Sequence, residues 1–125
     1  MSSGPLNSDL EAVSNNPLVW EHAGEDCRRV EGTALDVLYE CLRLIGNRAH
    51  SLHTHPVAGN ARLLHNPFRT IFVRKGAPSP EQTMHDLRCL ELFIGKMEGL
   101  GGEAPEKTFD DYRTVDYGLY LGMLP

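Results

Sequence analysis

The apolar positions between residues 27 and 45 recur at alternating steps of three and four, the spacing that places side chains on one face of a helix. Two adjoining stripes make up this face: Cys27, Val30, Ala34, Val37, Cys41 and Leu44, and beside them Leu35, Leu38, Leu42 and Ile45. Asn16 before Pro17 has the form of a helix start, because Asn supplies a capping oxygen and Pro a suitable φ. We therefore predict one long amphipathic helix over about 17–45, with Gly24 and Gly32 as the two places where it would break.

A second helical pattern begins at Ser79, which supplies a capping hydroxyl ahead of Pro80 at the first helical position and Gln82 at the capping-box position. Helical spacing of apolar residues then continues to the glycines that follow residue 98. We predict a helix over 80–98 that packs across the first one. The predicted interface consists of Val30, Val37, Leu38, Leu42, Leu87, Leu90 and Phe93.

The rest of the chain offers one strand candidate, Thr70-Ile71-Phe72-Val73, because β-branched and aromatic residues favour strands. Residues 48–67 are predicted to form a His-rich loop, and the aromatic tail alternates apolar residues with a strand-like period of two. The predicted fold class is mainly α: two long amphipathic helices packed together, the loop, at most one or two short strands, and extended terminal arms. We divide the chain into a polar N-terminal arm (1–16), a helical domain (17–100), and a linker with an aromatic tail (101–125).

Composition and charge narrow the class of protein. The 125 residues are 41% hydrophobic and 23% charged, which suits a single domain with one core. The net charge is −5 and the basic residues are scattered, so we expect no nucleic-acid partner. No apolar stretch approaches the roughly 20 residues that cross a bilayer, and the first ten residues lack a signal-peptide pattern. We expect an intracellular protein, cytoplasmic or inside an organelle, that is neither membrane-spanning nor secreted, with its three cysteines reduced.

The candidate metal ligands are four histidines: His50, His53, His55 and His65. Imidazole is the commonest zinc ligand, but the spacing does not favour a site. On a helix His50 and His53 would share a face that His55 leaves, whereas a strand that joins His53 and His55 would exclude His50. Between residues 48 and 82 the only carboxylate that could orient a ligand is Glu81. We therefore predict no bound metal and no cofactor.

One short segment resembles a known family. His53-Thr54-His55-Pro56 resembles the His-x-His-Pro core of JAMM-type zinc isopeptidases over these four residues. That family's pattern continues with a Ser and an Asp ligand, where this chain has Leu63 and Asn66. The resemblance therefore implies at most a degenerate relative that has lost a hydroxyl and a carboxylate ligand.

The sequence contains no Gly-x-Ser-x-Gly or comparable nucleophile signature. We expect a non-catalytic subunit or adaptor that binds other protein subunits within a larger intracellular assembly. The alternative is a small metal-dependent, hydrolase-like enzyme centred on the His-rich loop, or a degenerate relative of one. The pattern leaves open whether the tail packs on its own chain or on a neighbour. The predicted partner-binding residues lie in this tail, where aromatic surface is concentrated: Tyr112, Val115, Tyr117, Leu119, Tyr120 and Leu121.

Overall fold

In the computed structural model, which describes residues 9–54, 66–99 and 106–124, a mixed sheet separates two pairs of helices. The strands are β1 Leu10–Ser14, β2 Cys27–Arg29, β3 His50–Leu52 and β4 Thr70–Lys75, and the helices are α1 Pro17–Ala23, α2 Ala34–Gly46, α3 Pro80–Glu98 and α4 Phe109–Met123. The strand order is β2-β1-β4-β3. β1 runs parallel to β2 and antiparallel to β4, which is in turn antiparallel to β3. This is an α+β fold, so the predicted mainly α class is wrong.

The predicted 17–45 helix is divided into a helix, a strand and a second helix. α1 ends at Gly24, whose φ of 58° lies in the left-handed region. Residues 27–29 then pair with β1, and α2 begins with a capping box in which Thr33 and Asp36 satisfy each other's backbone N–H groups. The helical spacing of residues 27 and 30 therefore arose by chance, since both positions precede α2.

The N-terminal segment contributes an interior strand of the sheet. Residues 10–14 alternate between the two faces, so that Leu10 and Ala12 pack in one core cluster and Val13 packs in the other. The expectation of an extended polar arm over 1–16 is thus wrong for these five residues, while residues 1–8 lie outside the described part of the chain. The alternation of residues 10–14 is short and lies among polar residues, so the sequence alone does not identify it as a strand.

One face of the sheet packs on α2 and α3. α3 has the predicted bounds, Pro80–Glu98, and begins with the Ser79 cap, so this prediction is confirmed. Its Asp86 accepts a hydrogen bond from the backbone N–H of Leu52 at 3.0 Å and thereby joins the helix to β3. All seven predicted interface residues lie in or against this cluster, which also contains the sheet residues that the prediction lacked. They are Val13, Ile71 and Val73.

The other face of the sheet packs on α1 and α4. Leu10, Ala12 and Phe72 from the sheet contact Val19 of α1 and Tyr120 of α4. The strand-like alternation of the tail was misleading, because residues 109–123 are helical and fold back on their own chain. Among the helices of the described segments, none is long and apolar enough to span a membrane.

Candidate functional site

A cluster of buried polar residues lies where β1 ends. Ser14, Asn15 and Asn16 are 0%, 6% and 0% exposed, although a buried polar group is costly unless it is hydrogen-bonded. At this end the parallel strands β1 and β2 lead into α1 and α2, which pack on opposite faces of the sheet. Such a switch point is the usual ligand position in open α/β sheets, and here side chains of the protein itself occupy it.

Asn15 fills the gap between the strand ends. Its side-chain amide donates to the carbonyl oxygens of Gly32 at 3.0 Å and Pro67 at 2.8 Å. Its Oδ1 accepts from the backbone N–H of Arg69 at 2.8 Å. The side chain therefore bridges the segment after β2 and the segment before β4, and its hydrogen-bonding groups are used within the chain.

Asn16 and Asp116 join α4 to the start of α1. The Asn16 amide donates to Asp116 Oδ2 and to the carbonyl oxygen of Arg113, both at 2.9 Å. Asn16 Oδ1 also caps α1 by accepting from the backbone N–H of Leu18 at 3.1 Å. One side chain thus performs the predicted capping role and also holds a helix that lies about 100 residues later in the sequence.

A directional chain of hydroxyls ends on the same carboxylate. Thr70 Oγ1 donates to Asp116 Oδ2 at 2.8 Å. Because a Thr hydroxyl has one proton, Ser14 Oγ must donate to Thr70 across their 2.7 Å contact. The backbone N–H of Asn16 in turn donates to Ser14 Oγ at 3.0 Å. Asp116 is therefore held as an acceptor, and we call Ser14, Asn16, Thr70 and Asp116 the polar clip.

Burial and neighbouring charge act against each other at Asp116. Burial raises the pKa of this carboxyl, whereas the hydrogen bonds from Asn16 and Thr70 and the charge of Arg69 lower it, and burial has the larger effect. Burial also shifts the pKa of Arg69, in this case downwards, because it disfavours the charged guanidinium. Arg69 is 7% exposed, and its guanidinium lies 5.1 Å from the Phe93 ring centroid. A perturbed buried carboxyl is a common mark of function, but here its partners are fixed groups of the protein.

The thiols of the chain are poorly suited to nucleophilic chemistry. Cys27, Cys41 and Cys89 are not joined in disulfide bonds. Burial raises the pKa of Cys27 to about 12 and also raises the pKa of Cys41 and of Cys89. Since the thiolate is the reactive form, these side chains remain protonated and unreactive at neutral pH.

The structure separates the two candidate histidines that it describes. His50 lies on the α2 side of the sheet, with Nε2 3.7 Å from Glu11 Oε1. His53 lies on the opposite side, where its ring stacks on Phe72 and its Nδ1 is 3.0 Å from Arg74 Nη2. Burial lowers the pKa of both imidazoles. These two residues cannot share a metal ion, and His55 and His65 lie outside the described residues.

Positions 66 and 63 are the two further positions at which the JAMM pattern has ligand residues. Asn66 stands where the JAMM pattern has an Asp ligand, and its amide donates to the carbonyl oxygen of Tyr112 at 3.1 Å. Its Oδ1 accepts from the backbone N–H of Phe68 at 2.8 Å, so this side chain fixes the start of β4. Leu63 lies outside the described residues. Within residues 9–54, 66–99 and 106–124, no cluster of three His, Cys, Asp or Glu side chains has the geometry of a metal site.

The six predicted partner-binding residues divide between the two sides of α4. Tyr120 is completely buried, and its hydroxyl lies 2.8 Å from Nδ1 of His22. Tyr112 and Tyr117 are half-buried, and the ring of Tyr117 stacks against that of Tyr120 with centroids 5.9 Å apart. The side chains that reach solvent are Val115, Leu119 and Leu121, which are 46%, 37% and 42% exposed.

The solvent-facing side of α4 carries no charge from Thr114 to its end at Met123. Its exposed residues are Thr114, Val115, Gly118, Leu119, Leu121 and Gly122, which we call the outer face of α4. The structure leaves open space within 4 Å of the position that a Cβ would take at Gly118 and at Gly122. Their spacing of four residues places them on one side of the helix.

The comparisons with known proteins identify a family. Residues 11–125 match the family described as GrdX-like protein, and the chain belongs to that family. No curated protein and no solved structure shows a significant match to the chain.

Proposed function

We propose that this member of the GrdX-like family is a non-catalytic accessory protein that binds another protein through the outer face of α4, within an intracellular assembly. The match extends from β1 through α4, so the family's common sequence includes the helix on which the proposal rests. The family is associated with glycine reductase, and this association favours an auxiliary role.

The uncharged outer face of α4 is the observation that carries the proposal. The solvent-exposed side of a helix normally carries charged residues, and an exposed apolar face often marks an interaction site. Val115 and Leu119 are one turn apart, so their side chains are adjacent. The charged residues of α4, Asp110, Asp111, Arg113 and Asp116, lie nearer its start or point towards the body of the protein.

The two glycines of this face indicate the shape of the partner. Glycine in the interior of a helix costs about 1 kcal/mol relative to alanine, and the open space at Gly118 and Gly122 gives no reason within this chain for omitting a Cβ. Glycines one turn apart allow the backbone of a second helix to approach closely. A helix of the partner, lying across Gly118 and Gly122 between Leu119 and Leu121, would use this surface.

The exposed apolar residues of α3 are a weaker candidate. Met84 and Leu92 are 58% and 70% exposed, but they are two turns apart and Arg88 lies between them on the same side of the helix. Glu91 and Lys96 are also exposed near them. Scattered apolar residues among charges are ordinary surface, which makes Leu92 a suitable control position.

The proposal is tested by comparing two matched variants of the full-length, affinity-tagged protein in its native cells. Leu119→Lys introduces a charge into the outer face of α4, and Leu92→Lys introduces the same charge on α3. We expect Leu119→Lys to lower the recovery of a stoichiometric partner by about tenfold, as for the loss of one interface anchor. Leu92→Lys should leave recovery within about twofold, and both variants should melt like the wild type.

Three results would contradict the proposal. Equal losses of the partner in both variants would remove the outer face of α4 as the binding surface. The absence of any stoichiometric partner in wild-type material would remove the accessory role. A dimer that light scattering detects in the purified protein, and that Leu119→Lys dissociates, would replace the second protein by a second copy of this chain.

A further inference from the structure

The helices on the two sides of the sheet differ in the kind of side chain that they bury. α2 buries six residues, all apolar: Ala34, Val37, Leu38, Cys41, Leu44 and Ile45. α4 is two residues longer, yet it buries only Asp116 and Tyr120. Both of these side chains carry polar groups that hydrogen-bond to other elements. α4 therefore has less apolar burial to hold it than α2 has.

The contacts that hold α4 are concentrated at its buried side. Asp116 belongs to the polar clip, and Tyr120 packs edge-on against Phe72 with ring centroids 5.7 Å apart. The first two turns of α4 are held by Phe109, whose ring meets Phe68 at 5.7 Å, and by Arg113, whose guanidinium lies 5.1 Å from the same Phe68 ring. Helices with few buried apolar contacts are the ones that open at low free energy.

From these contacts we infer that α4 detaches from the sheet as a unit while the sheet, α2 and α3 stay folded, and that the buried negative charge of Asp116 favours detachment. The inference concerns the conformational behaviour of the isolated chain, so it does not depend on the proposed partner. Detachment uncovers the apolar face that Leu10, Ala12 and Phe72 form beneath Tyr120.

The charge effect follows from what surrounds Asp116. It faces Ser14 from β1, Asn16 from the start of α1, and Thr70 and Arg69 from β4, while Arg113 of its own helix pairs with Asp110 instead. The titratable groups near Tyr120 on the buried side of α4 include His22, whose ring nitrogen meets its hydroxyl, and Cys27 and Asp26, which act on its pKa through their charges. Despite the donors and Arg69, burial keeps the pKa of Asp116 above its ordinary value.

The sign of the pH dependence is fixed by this shift. A docked carboxyl with a raised pKa binds its proton more tightly than the same carboxyl in the detached, solvated helix. The docked state is therefore favoured fully below the ordinary pKa of Asp, and this advantage is lost as the pH rises through the raised pKa. Above the raised pKa Asp116 is ionised, and the docked helix then bears the cost of desolvating the charge.

Native-state hydrogen exchange of the full-length chain tests the inference. We expect the amides of α4 to be protected at least about tenfold less than the slowest amides of α2, with a dependence on denaturant that is weaker than that of global unfolding because detachment exposes less surface. The α2 amides should instead exchange through global unfolding. If α4 and α2 exchange together with the same denaturant dependence, then α4 is part of one cooperative unit and the inference is wrong.

Two charge-matched variants test the role of Asp116. Asp116→Asn keeps an acceptor for Asn16 and Thr70 but removes the charge, so α4 protection at pH 7 should rise. Asp111→Asn removes an equal charge from the exposed first turn, where it favours the helix, so protection should stay unchanged or fall.

Wild-type α4 protection, corrected for intrinsic exchange rates, should also fall between pH 4 and pH 7, and Asp116→Asn should abolish this dependence. His22 is retained in that variant, so a dependence that persists belongs to another group. A fall in α4 protection in Asp116→Asn, or a pH dependence that the variant retains, would overturn the inferred role of the charge.

Discussion

The two faces of the sheet are built on different principles. The face that packs on α2 and α3 is an apolar core, in which Val37, Leu38, Ile45 and Leu90 are completely buried. The face that packs on α1 and α4 combines Leu10, Phe72 and Tyr120 with the polar clip. Apolar burial supplies most folding free energy, whereas a hydrogen-bonded network mainly fixes one arrangement. The first face therefore stabilises the protein, and the second positions α4.

The difference also bears on function. α4 contributes few apolar side chains to the core, and its outer face is uncharged and carries Gly118 and Gly122. The outer sides of α2 and α3 carry charged residues such as Asp36, Arg43, Arg88 and Lys96. The surface that we propose for a partner thus lies on a helix that buries few apolar side chains.

The largest loss of stability should come from a substitution in the apolar core between the sheet and α2 and α3. Leu90 is completely buried in the α2 and α3 cluster, so Leu90→Ala should lower the free energy of unfolding by about 2–5 kcal/mol through lost burial and a residual cavity. Leu92, on the same helix, is 70% exposed, and Leu92→Ala should change it by less than about 0.5 kcal/mol. Urea unfolding followed by circular dichroism measures both, and similar values for the two variants would refute this placement of the core.

A smaller loss is expected for the aromatic centre of the other face. Tyr120→Ala removes a larger side chain than Leu90→Ala does, yet the loss should be only about 1–3 kcal/mol, because the cost cannot exceed the free energy that docks α4. The same urea titration measures it, with α2 and α3 remaining folded at the start of the transition. A loss greater than that of Leu90→Ala would reverse the ranking of the two faces.

The polar clip should contribute less again. Asp116→Ala leaves the Asn16 amide and the Thr70 hydroxyl without their shared acceptor, which should cost about 1–2 kcal/mol. Asp116→Asn retains an acceptor oxygen, so its free energy of unfolding should be at most about 1 kcal/mol below that of the wild type, or should exceed it. Thermal unfolding at pH 7 distinguishes these cases, and a loss for Asp116→Asn as large as that for Asp116→Ala would show that the charge, rather than the acceptor oxygen, stabilises the fold.

The smallest effect has the opposite sign. Gly118→Ala should raise the free energy of unfolding by about 0.5–1 kcal/mol, since a Cβ meets open space and alanine favours helix. Gly95→Ala on α3 should raise it similarly, because that position is also open. Partner recovery should fall for Gly118→Ala alone. Destabilisation by Gly118→Ala would mean that this glycine is required by the chain itself.

The sequence predicted those parts of the fold whose signals are local. The Ser79 cap, Pro80 and an uninterrupted helical spacing determine α3, and the β-prone run at 70–73 marks β4. The Asn16 cap was also recognised, but its helix ends after seven residues at Gly24. An apolar stripe on either side of a break looks continuous along the chain, so the spacing alone could not show that residues 27–29 form a strand.

The other elements depend on contacts between distant residues. β1 and β3 contain five and three residues, which is too short for a local pattern to identify them, and they are specified by pairing with β4. The polar clip is likewise non-local, because Ser14, Thr70 and Asp116 are separated by 46 residues or more. The sequence correctly indicated that the tail is rich in aromatic and apolar side chains, but not that the tail is a helix. In that helix Tyr120 is buried and Leu119 is exposed.

The most direct test of the central claim, that the outer face of α4 is the binding surface, is a site-specific photo-crosslink in living cells. A benzophenone amino acid is placed at Leu119 of the full-length protein and, in a separate variant, at Leu92 of α3. Both side chains are exposed and apolar, so reactivity alone does not distinguish them. The account predicts a crosslink from position 119 to one other protein chain and none from position 92. A crosslink from position 92 alone, or the same adducts from both positions, would contradict it.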